Sequence, residues 1–465
     1  MIRIIITALA VFASLIAAAQ NMGQMSTMRE QMQYYNQLGF TTDAQFDSLH
    51  ATIPNSVTYP RAACNLNKVV YGWHPYWVGS VYTNYDWSML SDLCYFSYEL
   101  NAADGNATST HSFSTAAVVD EALSQGTRVH LCVTLFSNHG TFLTNATAKQ
   151  TLITNLINMV GARGGHGVNI DFEGVSSTYK VEFRDFMNDL SDQFHAAIPG
   201  SIVSMALPSV DWSTAYEVEN MTSVDLFIIM GYDYYYSGST TAGPNDPLYN
   251  YTTGYAYCLT RSVAYYLNKV PAAKLTLGLP YYTRRYETAS AALPGSVTGS
   301  SAVVMFKDYL TNASGYYDNT LWSSDAFITY YVFQIAGQWN QCFIDDPYSM
   351  GRRYDLVNQA GLAGIGIWAL GYDDGHPDYW NLIRDKFSDC AVVECTDSVF
   401  DTGGPNRNYF NNENFPITIA PTNATGLSLQ FTSFATENNF DTLFIYDGPT
   451  VASPLLGRYT GTNSP

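Results

Sequence analysis

Short apolar runs recur along the middle of the chain, and each is followed by a polar loop and a stretch that suits a helix. The runs are rich in β-branched and aromatic residues, which favour strands. In order they are KVVYGW, SDLCYFSYEL, RVHLCVTLF, GVNIDFE, SIVSMALP, VDLFIIMGYD, KLTLGLPYY and LAGIGIWALGYD. Because strands that alternate with helices form a parallel sheet with crossovers, the pattern predicts an α/β fold. Eight such repeats favour a closed (β/α)8 TIM barrel.

The segments between the runs support this prediction. The segment after the fourth run has large apolar residues three or four positions apart, which predicts a helix with one buried face: Phe183, Phe186, Leu190 and Phe194. Residues 285–360, between the seventh and eighth runs, exceed what one helix requires, so we expect a small insertion there. A doubly wound sheet is the alternative, but YGWHPYWVGS lacks the glycine-rich phosphate loop typical of that fold.

The start of the chain has a different pattern. Residues 1–19 combine Arg3 with an apolar run and a close of small residues, which is the pattern of a cleaved secretory signal peptide. The run is too short to span a bilayer, and no later segment is apolar enough to do so. We therefore expect an extracellular, secreted protein. Residues 20–66 are polar, with a Met- and Gln-rich start compatible with a helix, and form an N-terminal lead-in segment before a catalytic barrel at 67–390.

The end of the chain, residues 395–465, is dense in Asn, Thr, Ser and Gly. Its short alternating runs LSLQFTSF, DTLFIYDG and LLGRY predict an all-β sandwich that stops before such a sandwich would close. The stretch LQFTSFATENNFDTLFIYDG followed by LLGRYTG resembles a CUB domain. Some CUB domains bind calcium through acidic residues, and the resemblance places Glu437 and Asp441 at such positions, which leaves calcium binding open.

Composition and charge narrow the possible partners. The chain has 40 acidic and 21 basic residues and a net charge of -19, so a nucleic-acid partner is not expected. The 7 cysteines show no metal-ligand spacing, and we expect no metal and no cofactor. Cys94 and Cys132 lie in apolar runs, where a free buried thiol is the usual state, and the pairing of the others is left open. We expect a monomer.

The fourth run, within HGVNIDFE, carries the strongest chemical signal. Alternate residues of a strand face the same way, so Asn169, Asp171 and Glu173 should face the barrel interior. Catalytic groups of barrels cluster where strands end, and Glu173 is followed by a glycine at which the strand should exit. A neighbouring carboxyl group and an apolar wall should raise its pKa, so that it acts as a general acid. Asp171 would hold a hydrogen bond, and Asn169 would anchor the pair. The alternative is a buried polar cluster that only fixes strand register.

Four motifs in register identify a resemblance to a known family. GVNIDFE resembles the fourth-strand signature D-G-x-D-x-D-x-E of glycoside hydrolase family 18, the chitinases and their relatives. MGYD at 230–233 resembles the sixth-strand M-x-Y-D, and GLPYYTR at 278–284 resembles G-x-P-x-Y-G-R. GIGIWALGYDD at 364–374 resembles the last strand with its buried tryptophan. The resemblance covers about residues 68–388 and implies a family 18 barrel.

The resemblance also implies a substrate-assisted reaction. Glu173 would protonate the glycosidic oxygen, and the acetamido oxygen of the sugar itself would attack the anomeric carbon, with retention of configuration. Asp171 would orient the acetamide N–H, and Tyr232 would donate its hydroxyl to the acetamido oxygen. Trp368 would form an apolar floor under the sugar. The other positions that match substrate-binding residues of the family are Asn169, Asp233, Met230, Tyr282, Arg284 and Trp73.

The sequence departs from the family pattern at a few places. His166 replaces the first Asp of the signature, which could alter the tuning of Asp171, and Asn169 replaces the second. Thr283 stands for a glycine, and the third run lacks the usual S-x-G-G. Because Asp171 and Glu173 are both present, the resemblance favours an active enzyme over the lectin-like branch of the family.

The expected function is a secreted glycosidase that cleaves β-1,4-linked N-acetylglucosamine polymers, such as chitin and chitooligosaccharides. A peptidoglycan N-acetylglucosaminidase and an endo-β-N-acetylglucosaminidase acting on N-glycans share the same chemistry and stay open. A non-hydrolytic, lectin-like chitin-binding protein is the alternative from another class.

Overall fold

The computed structural model describes residues 25–49, 64–390, 397–420 and 426–465. Its strands, in chain order, are β1 (Val69–Pro75), β2 (Asp92–Leu100), β3 (Ala107–Ser109), β4 (Arg128–Leu135), β5 (Gly167–Phe172), β6 (Ile202–Pro208), β7 (Leu226–Met230), β8 (Leu275–Pro280), β9 (Tyr282–Thr288), β10 (Val297–Met305), β11 (Leu321–Ser323), β12 (Ile328–Ile335), β13 (Gln338–Phe343), β14 (Gly364–Trp368), β15 (Leu443–Tyr446) and β16 (Leu455–Tyr459). Its α-helices are α1 (Thr27–Gln37), α2 (Asp43–Asp47), α3 (Ala117–Ser124), α4 (His139–Leu143), α5 (Ala146–Ala162), α6 (Lys180–Ala197), α7 (Leu259–Leu267), α8 (Phe306–Thr311), α9 (Pro347–Gln359) and α10 (Asp378–Phe387).

A closed ring of parallel strands forms the centre of the molecule. The order around the ring is β1, β2, β4, β5, β6, β7, β8 and β14, and β1 pairs with both β2 and β14. These strands coincide with the eight apolar runs of the sequence. The predicted (β/α)8 barrel is therefore confirmed, and the doubly wound alternative is wrong because an open sheet has two unpaired edges.

Aromatic packing joins the barrel to its outer helices. Helix α6 buries the predicted face, including Phe183 and Phe186. Phe172 at the end of β5 lies nearly parallel to both rings, with centroid separations of 5.8 and 5.9 Å. This contact fixes the outward face of β5, so the residues that alternate with Phe172 must point into the barrel.

The expected insertion lies between the seventh and eighth barrel strands. It consists of an antiparallel sheet in the order β10-β9-β13-β12-β11. Strand β9 begins at Tyr282, directly after barrel strand β8 ends at Pro280, so the sheet rises from the carboxyl end of the barrel. The insertion therefore stands beside the end where functional residues are expected.

The described part of the lead-in, residues 25–49, contains α1 and α2 and packs on the barrel. Met28 and Phe46 are buried, with 1% and 3% of their surface exposed. The predicted signal peptide and residues 20–24 and 50–63 of the lead-in lie outside the described residues. Over the ranges that the structure describes, no helix combines the length and apolarity needed to cross a membrane.

The end of the chain forms less structure than the sequence predicts. Strands β15 and β16 pair as one antiparallel sheet, while the run LSLQFTSF at 427–434 has no strand. Leu427, Phe440 and Leu456 are more than half exposed, since two strands alone cannot bury an apolar face. The CUB-like sandwich stays a prediction.

One disulfide joins Cys64 before β1 to Cys390 after α10, so it links the two ends of the barrel region. Cys94 and Cys132 are free and buried, as the apolar runs predicted, and so are Cys258 and Cys342. Cys395 lies outside the described residues.

Candidate active site

Strand β5 presents its polar residues to the barrel interior, as its alternation predicts. Asn169 and Asp171 are buried, with 0% and 1% exposed surface. Glu173 is the first residue after the strand, and its backbone N–H donates to the carbonyl of Leu135 on β4 at 3.1 Å. Tyr216 donates its hydroxyl to the carbonyl of Phe172 at 2.6 Å and so fixes the strand end from the other side. Sequence reasoning missed Tyr216, which lies outside every motif.

Asn169 does not anchor the carboxyl pair, so that part of the sequence interpretation is wrong. Its Oδ1 accepts from Nε1 of Trp73 at 3.2 Å, and its Nδ2 donates to Oγ of Ser204 at 2.9 Å. These bonds join β5 to β1, which carries Trp73, and to β6, which carries Ser204. The Asn169 amide is fully buried between these strands. Asn169 and Trp73 thus lie beneath the site as a support.

Asp171 is buried without a hydrogen-bonding partner. Neither carboxylate oxygen has one among the described residues, so the hydrogen bond expected from the sequence is not made within the chain. Burial, and secondly the nearby charge of Glu173, raise the pKa of Asp171 well above its usual range. The Tyr232 hydroxyl and the Trp368 Nε1, at the ends of β7 and β14, are likewise buried and unpaired within the described protein. Because buried polar groups normally have partners, these atoms point to a polar ligand.

Glu173 has the electrostatics of a general acid. Burial raises its pKa from 4.5 to about 7, and the charge of Asp233 adds to this effect. The Ser26 hydroxyl donates to Oε1 of Glu173 at 2.9 Å, which acts in the opposite direction. The pKa agrees with the sequence-based expectation of a carboxyl group that stays largely protonated up to neutral pH.

Asp233 and Tyr282 lie together beside this carboxyl pair. Tyr282 donates its hydroxyl to Oδ1 of Asp233 at 2.8 Å, and Tyr232 and Tyr282 contact each other edge to face. Asp233 has a left-handed backbone with φ of 57°, a conformation that needs local support. Asn245 supplies it, accepting from the Asp233 N–H at 2.8 Å and donating to the Tyr282 carbonyl at 3.2 Å. Sequence reasoning missed Asn245, since it lies in a loop without a motif.

An aromatic wall closes another side of the site. Trp368 is fully buried, and its ring meets those of Trp73, Trp77 and Phe96 edge to face, at centroid separations of 6.2, 6.2 and 5.0 Å. Trp77 follows β1 and donates Nε1 to the Tyr372 hydroxyl at 3.2 Å. It was not among the predicted site residues, although the run HPYW at the end of the first strand was a usable signal.

The remaining predicted site residues are Met230 and Arg284. Met230 ends β7 and is 8% exposed. Arg284 on β9 is buried and donates Nη2 to the Thr27 hydroxyl of the lead-in at 2.9 Å, while it also pairs with Glu30. Thr27 in turn bonds Asp233, so the lead-in enters the site, which sequence reasoning missed because the segment carries no motif.

His166 lies away from the site. Its Nδ1 accepts from the Val129 N–H at 3.1 Å, at the amino end of β5. Five residues of extended strand separate it from Asp171, or roughly 16 Å at the rise of a β-strand. Direct tuning of Asp171 by His166 is therefore excluded by distance.

Comparison with known proteins identifies the family to which this barrel and site belong. Residues 69–373 match the family described as Glycosyl hydrolases family 18. The chain belongs to this family. The match covers all eight barrel strands and every predicted site residue.

Individual relatives of this family 18 chain are distant. Chitotriosidase-1 of Mus musculus is 29% identical over 261 residues, which are 51% of this chain and 55% of that protein. The cortical fragment-lytic enzyme of Bacillus subtilis (strain 168) is 24% identical over 286 residues, or 57% of this chain and 61% of that enzyme. The chain thus spans little more than half the length of these curated relatives.

Solved structures support the fold of this family 18 chain. The Group IV chitinase of Ostrinia furnacalis, solved in complex with allosamidin, superposes with a TM-score of 0.61 at 18% identity. The superposition covers 68% of this chain and 97% of that chitinase. At this identity the likeness supports the architecture alone.

Proposed function

We propose that the chain is a secreted glycosidase that cleaves β-1,4 bonds after N-acetylglucosamine in chitin or chitooligosaccharides, with retention of configuration. The observation that carries the proposal is that two carboxyl groups, Glu173 and Asp171, lie at the end of β5 in different environments. Glu173 has a pKa of about 7, and the deeper Asp171 has two buried oxygens without partners in the described protein. Glu173 can donate a proton, and the Asp171 oxygens beside it can accept a hydrogen bond. This arrangement suits a substrate whose 2-acetamido group supplies an N–H.

In the first step Glu173 gives its proton to the glycosidic oxygen, and the bond from that oxygen to the anomeric carbon breaks. The acetamido carbonyl oxygen of the sugar forms the new bond to the anomeric carbon, and an oxazolinium ion results. Asp171 accepts the acetamide N–H and stabilises the positive charge that develops on the ring. The unpaired Tyr232 hydroxyl donates to the acetamido oxygen and holds it in line with the anomeric carbon.

In the second step the now ionised Glu173 takes a proton from a water molecule, whose oxygen attacks the anomeric carbon from the face the leaving group left. The acetamido oxygen departs, and the original configuration is restored. Trp368 supplies an apolar floor to the sugar ring, and Asp233, Tyr282, Arg284 and Met230 bind its polar and apolar edges. Asn169 and Trp73 hold the strands beneath.

Replacing the acid tests the proposal. Glu173→Gln keeps the size of the side chain but removes the proton, so turnover of a labelled chitooligosaccharide should fall by about 10²–10⁴-fold. Binding of the same oligosaccharide should persist, since no contact of Asp171 or Trp368 is changed. Equal product release by both proteins would remove Glu173 from the mechanism, and binding without turnover in the wild type would favour the lectin-like alternative.

A peptidoglycan N-acetylglucosaminidase is the second candidate, favoured by the similarity to a cortical fragment-lytic enzyme. A panel of chitin, peptidoglycan and N-glycan substrates on one purified sample separates the candidates. We expect release from chitin or its soluble oligomers. Release from peptidoglycan alone would replace chitin as the substrate without changing the chemistry, and release from N-glycans alone would favour the endo-acting alternative.

A further inference from the structure

The described lead-in residues bind the proposed catalytic groups directly. Ser26 donates its hydroxyl to Glu173 at 2.9 Å. Thr27 donates twice to Asp233, through its backbone N–H at 2.7 Å and its hydroxyl at 2.8 Å. These are the bonds that hydroxyl groups of a bound sugar would form with the same carboxyl groups.

The helix that follows strengthens these bonds. Ser26 is the N-cap of α1, so Thr27 is the first residue of an 11-residue helix, and its backbone N–H at the start of that helix donates to Asp233. The positive end of the helix dipole stabilises a carboxylate at this position. The paired Arg284 and Glu30 join the same helix to β9. A charged and polar network therefore holds α1 at the carboxyl end of the barrel.

Aromatic contacts anchor the middle of α1. Tyr35 stacks on Trp77, with ring centroids 5.1 Å apart and planes 7° from parallel. Trp77 belongs to the aromatic wall around Trp368, so Tyr35 lies where a sugar ring would stack. Asn36 donates to Oε1 of Glu99 at 2.8 Å on the rim of the site.

Helix α2 attaches the lead-in segment to the barrel at a second place. Asp47 accepts from the backbone N–H of Ser80 at 2.9 Å and from its hydroxyl at 2.8 Å. Phe46 is 3% exposed and packs against Tyr35 and Tyr76. Residues 25–49, which we call the plug, thus cover the catalytic carboxyl groups and the adjoining aromatic wall with buried, specific contacts.

We infer that the plug is an autoinhibitory segment that occupies the glycan-binding cleft and keeps the enzyme latent until it is displaced or cut from the barrel. The inference rests on the proposed function, because it concerns access to the same site. Because the plug and the barrel belong to one chain, the plug competes at a high effective concentration, commonly in the millimolar range. Short soluble oligosaccharides should therefore bind poorly while the tether, residues 50–63 of the sequence, is intact.

Two neighbouring tyrosines of α1 provide a matched test. Tyr35 is 8% exposed and stacks on Trp77, whereas Tyr34 is 57% exposed. In the full chain, Tyr35→Ala should raise both the affinity for N,N′,N″-triacetylchitotriose, measured by calorimetry, and kcat/KM for a labelled chitooligosaccharide, each by about two- to tenfold, the effect of losing one buried aromatic pair. Tyr34 is exposed and meets Tyr35 edge to face at 5.0 Å, so Tyr34→Ala should change both values by less than about twofold.

The possible results distinguish autoinhibition by the plug from the proposed hydrolysis. Tighter triacetylchitotriose binding by Tyr35→Ala without turnover by any variant supports the plug and overturns the proposed hydrolysis. Turnover with equal binding by wild type, Tyr34→Ala and Tyr35→Ala overturns the plug and leaves the hydrolysis standing. Slower turnover by Tyr35→Ala than by Tyr34→Ala also overturns the plug, since it would make α1 a part of the productive site. Absence of triacetylchitotriose binding to all three proteins overturns both.

Cutting the tether gives an independent result. A full chain that carries a specific protease sequence inserted within residues 50–63 should gain activity when it is cut and diluted, because the plug then dissociates. The same protease should not change the activity of the chain without the insertion. A cut and diluted chain with unchanged activity would contradict autoinhibition.

Discussion

At the scale of single residues, the account depends on the protonation of Glu173. Its folded-state pKa of about 7 exceeds the ordinary value of 4.5, so the acid form persists until the pH rises through about 7. We predict that kcat/KM for a chitooligosaccharide falls tenfold per pH unit above that value. Since the folded state binds this proton more tightly than the unfolded chain does, the free energy of unfolding should also decline between pH 4.5 and 7. A pH profile of activity and of Tm checks both, and Glu173→Gln should lose this part of the Tm dependence. A flat activity profile from pH 6 to 9 would contradict the assignment.

Asn245 is predicted to act as a positioning residue. Asn245→Ala removes the hydrogen bond that the Asp233 N–H donates, so kcat/KM should fall by about tenfold and the free energy of unfolding by about 1–3 kcal/mol. Asn188 is a matched control, since it bridges the Asn220 carbonyl and the Ser223 N–H far from the site. Asn188→Ala should lose similar stability with unchanged kcat and KM. Equal activity losses in both variants would reduce Asn245 to a purely structural role.

At the scale of elements, helix α9 is joined to the barrel loops through one buried arginine. Arg353 is 0% exposed and pairs with Asp246 at 2.8 Å and with Asp345 at 3.1 Å. Arg353→Met would leave two buried carboxyl groups without a cation, and we predict a loss of about 3–5 kcal/mol in the free energy of unfolding. Arg184, which pairs at the surface with Asp185 and Glu217, is the control, and Arg184→Met should cause a much smaller loss than Arg353→Met. Urea denaturation measures both, and similar losses would contradict the burial argument.

The elements also show what the sequence could predict. All eight barrel strands, the amphipathic face of α6 and the interior orientation of Asp171 followed from periodicity, because one-dimensional patterns determine which face of a strand or helix is buried. The bonds of Asn169, the support by Asn245 and the entry of Thr27 into the site did not follow. Each depends on contacts between segments distant in sequence, for which no local pattern exists. In the tail, the run at 427–434 forms no strand although it alternates, because alternation alone does not supply the partner strand with which a strand must pair.

At the scale of the whole molecule, one disulfide closes the barrel region. Cys64 and Cys390 are 326 residues apart in sequence, so their bond constrains the unfolded chain strongly. The double variant Cys64→Ser/Cys390→Ser should lower the free energy of unfolding by about 2–5 kcal/mol. Thermal denaturation with and without a reducing agent measures the effect. A reducing agent should lower the Tm of the wild type and not that of the double variant, and an unchanged wild-type Tm would contradict the constraint.

The central claim is that the substrate's own acetamido group is the nucleophile that Asp171 orients and Glu173 assists. Its most direct test is to compare kcat/KM for two matched labelled oligosaccharides, one with 2-acetamido groups and one with 2-hydroxyl groups, in the wild type and in the Tyr35→Ala chain. The account predicts that the 2-hydroxyl substrate reacts slower by at least about a thousandfold in both proteins, because the positioned intramolecular nucleophile is lost. Comparable kcat/KM values for the two substrates would contradict it.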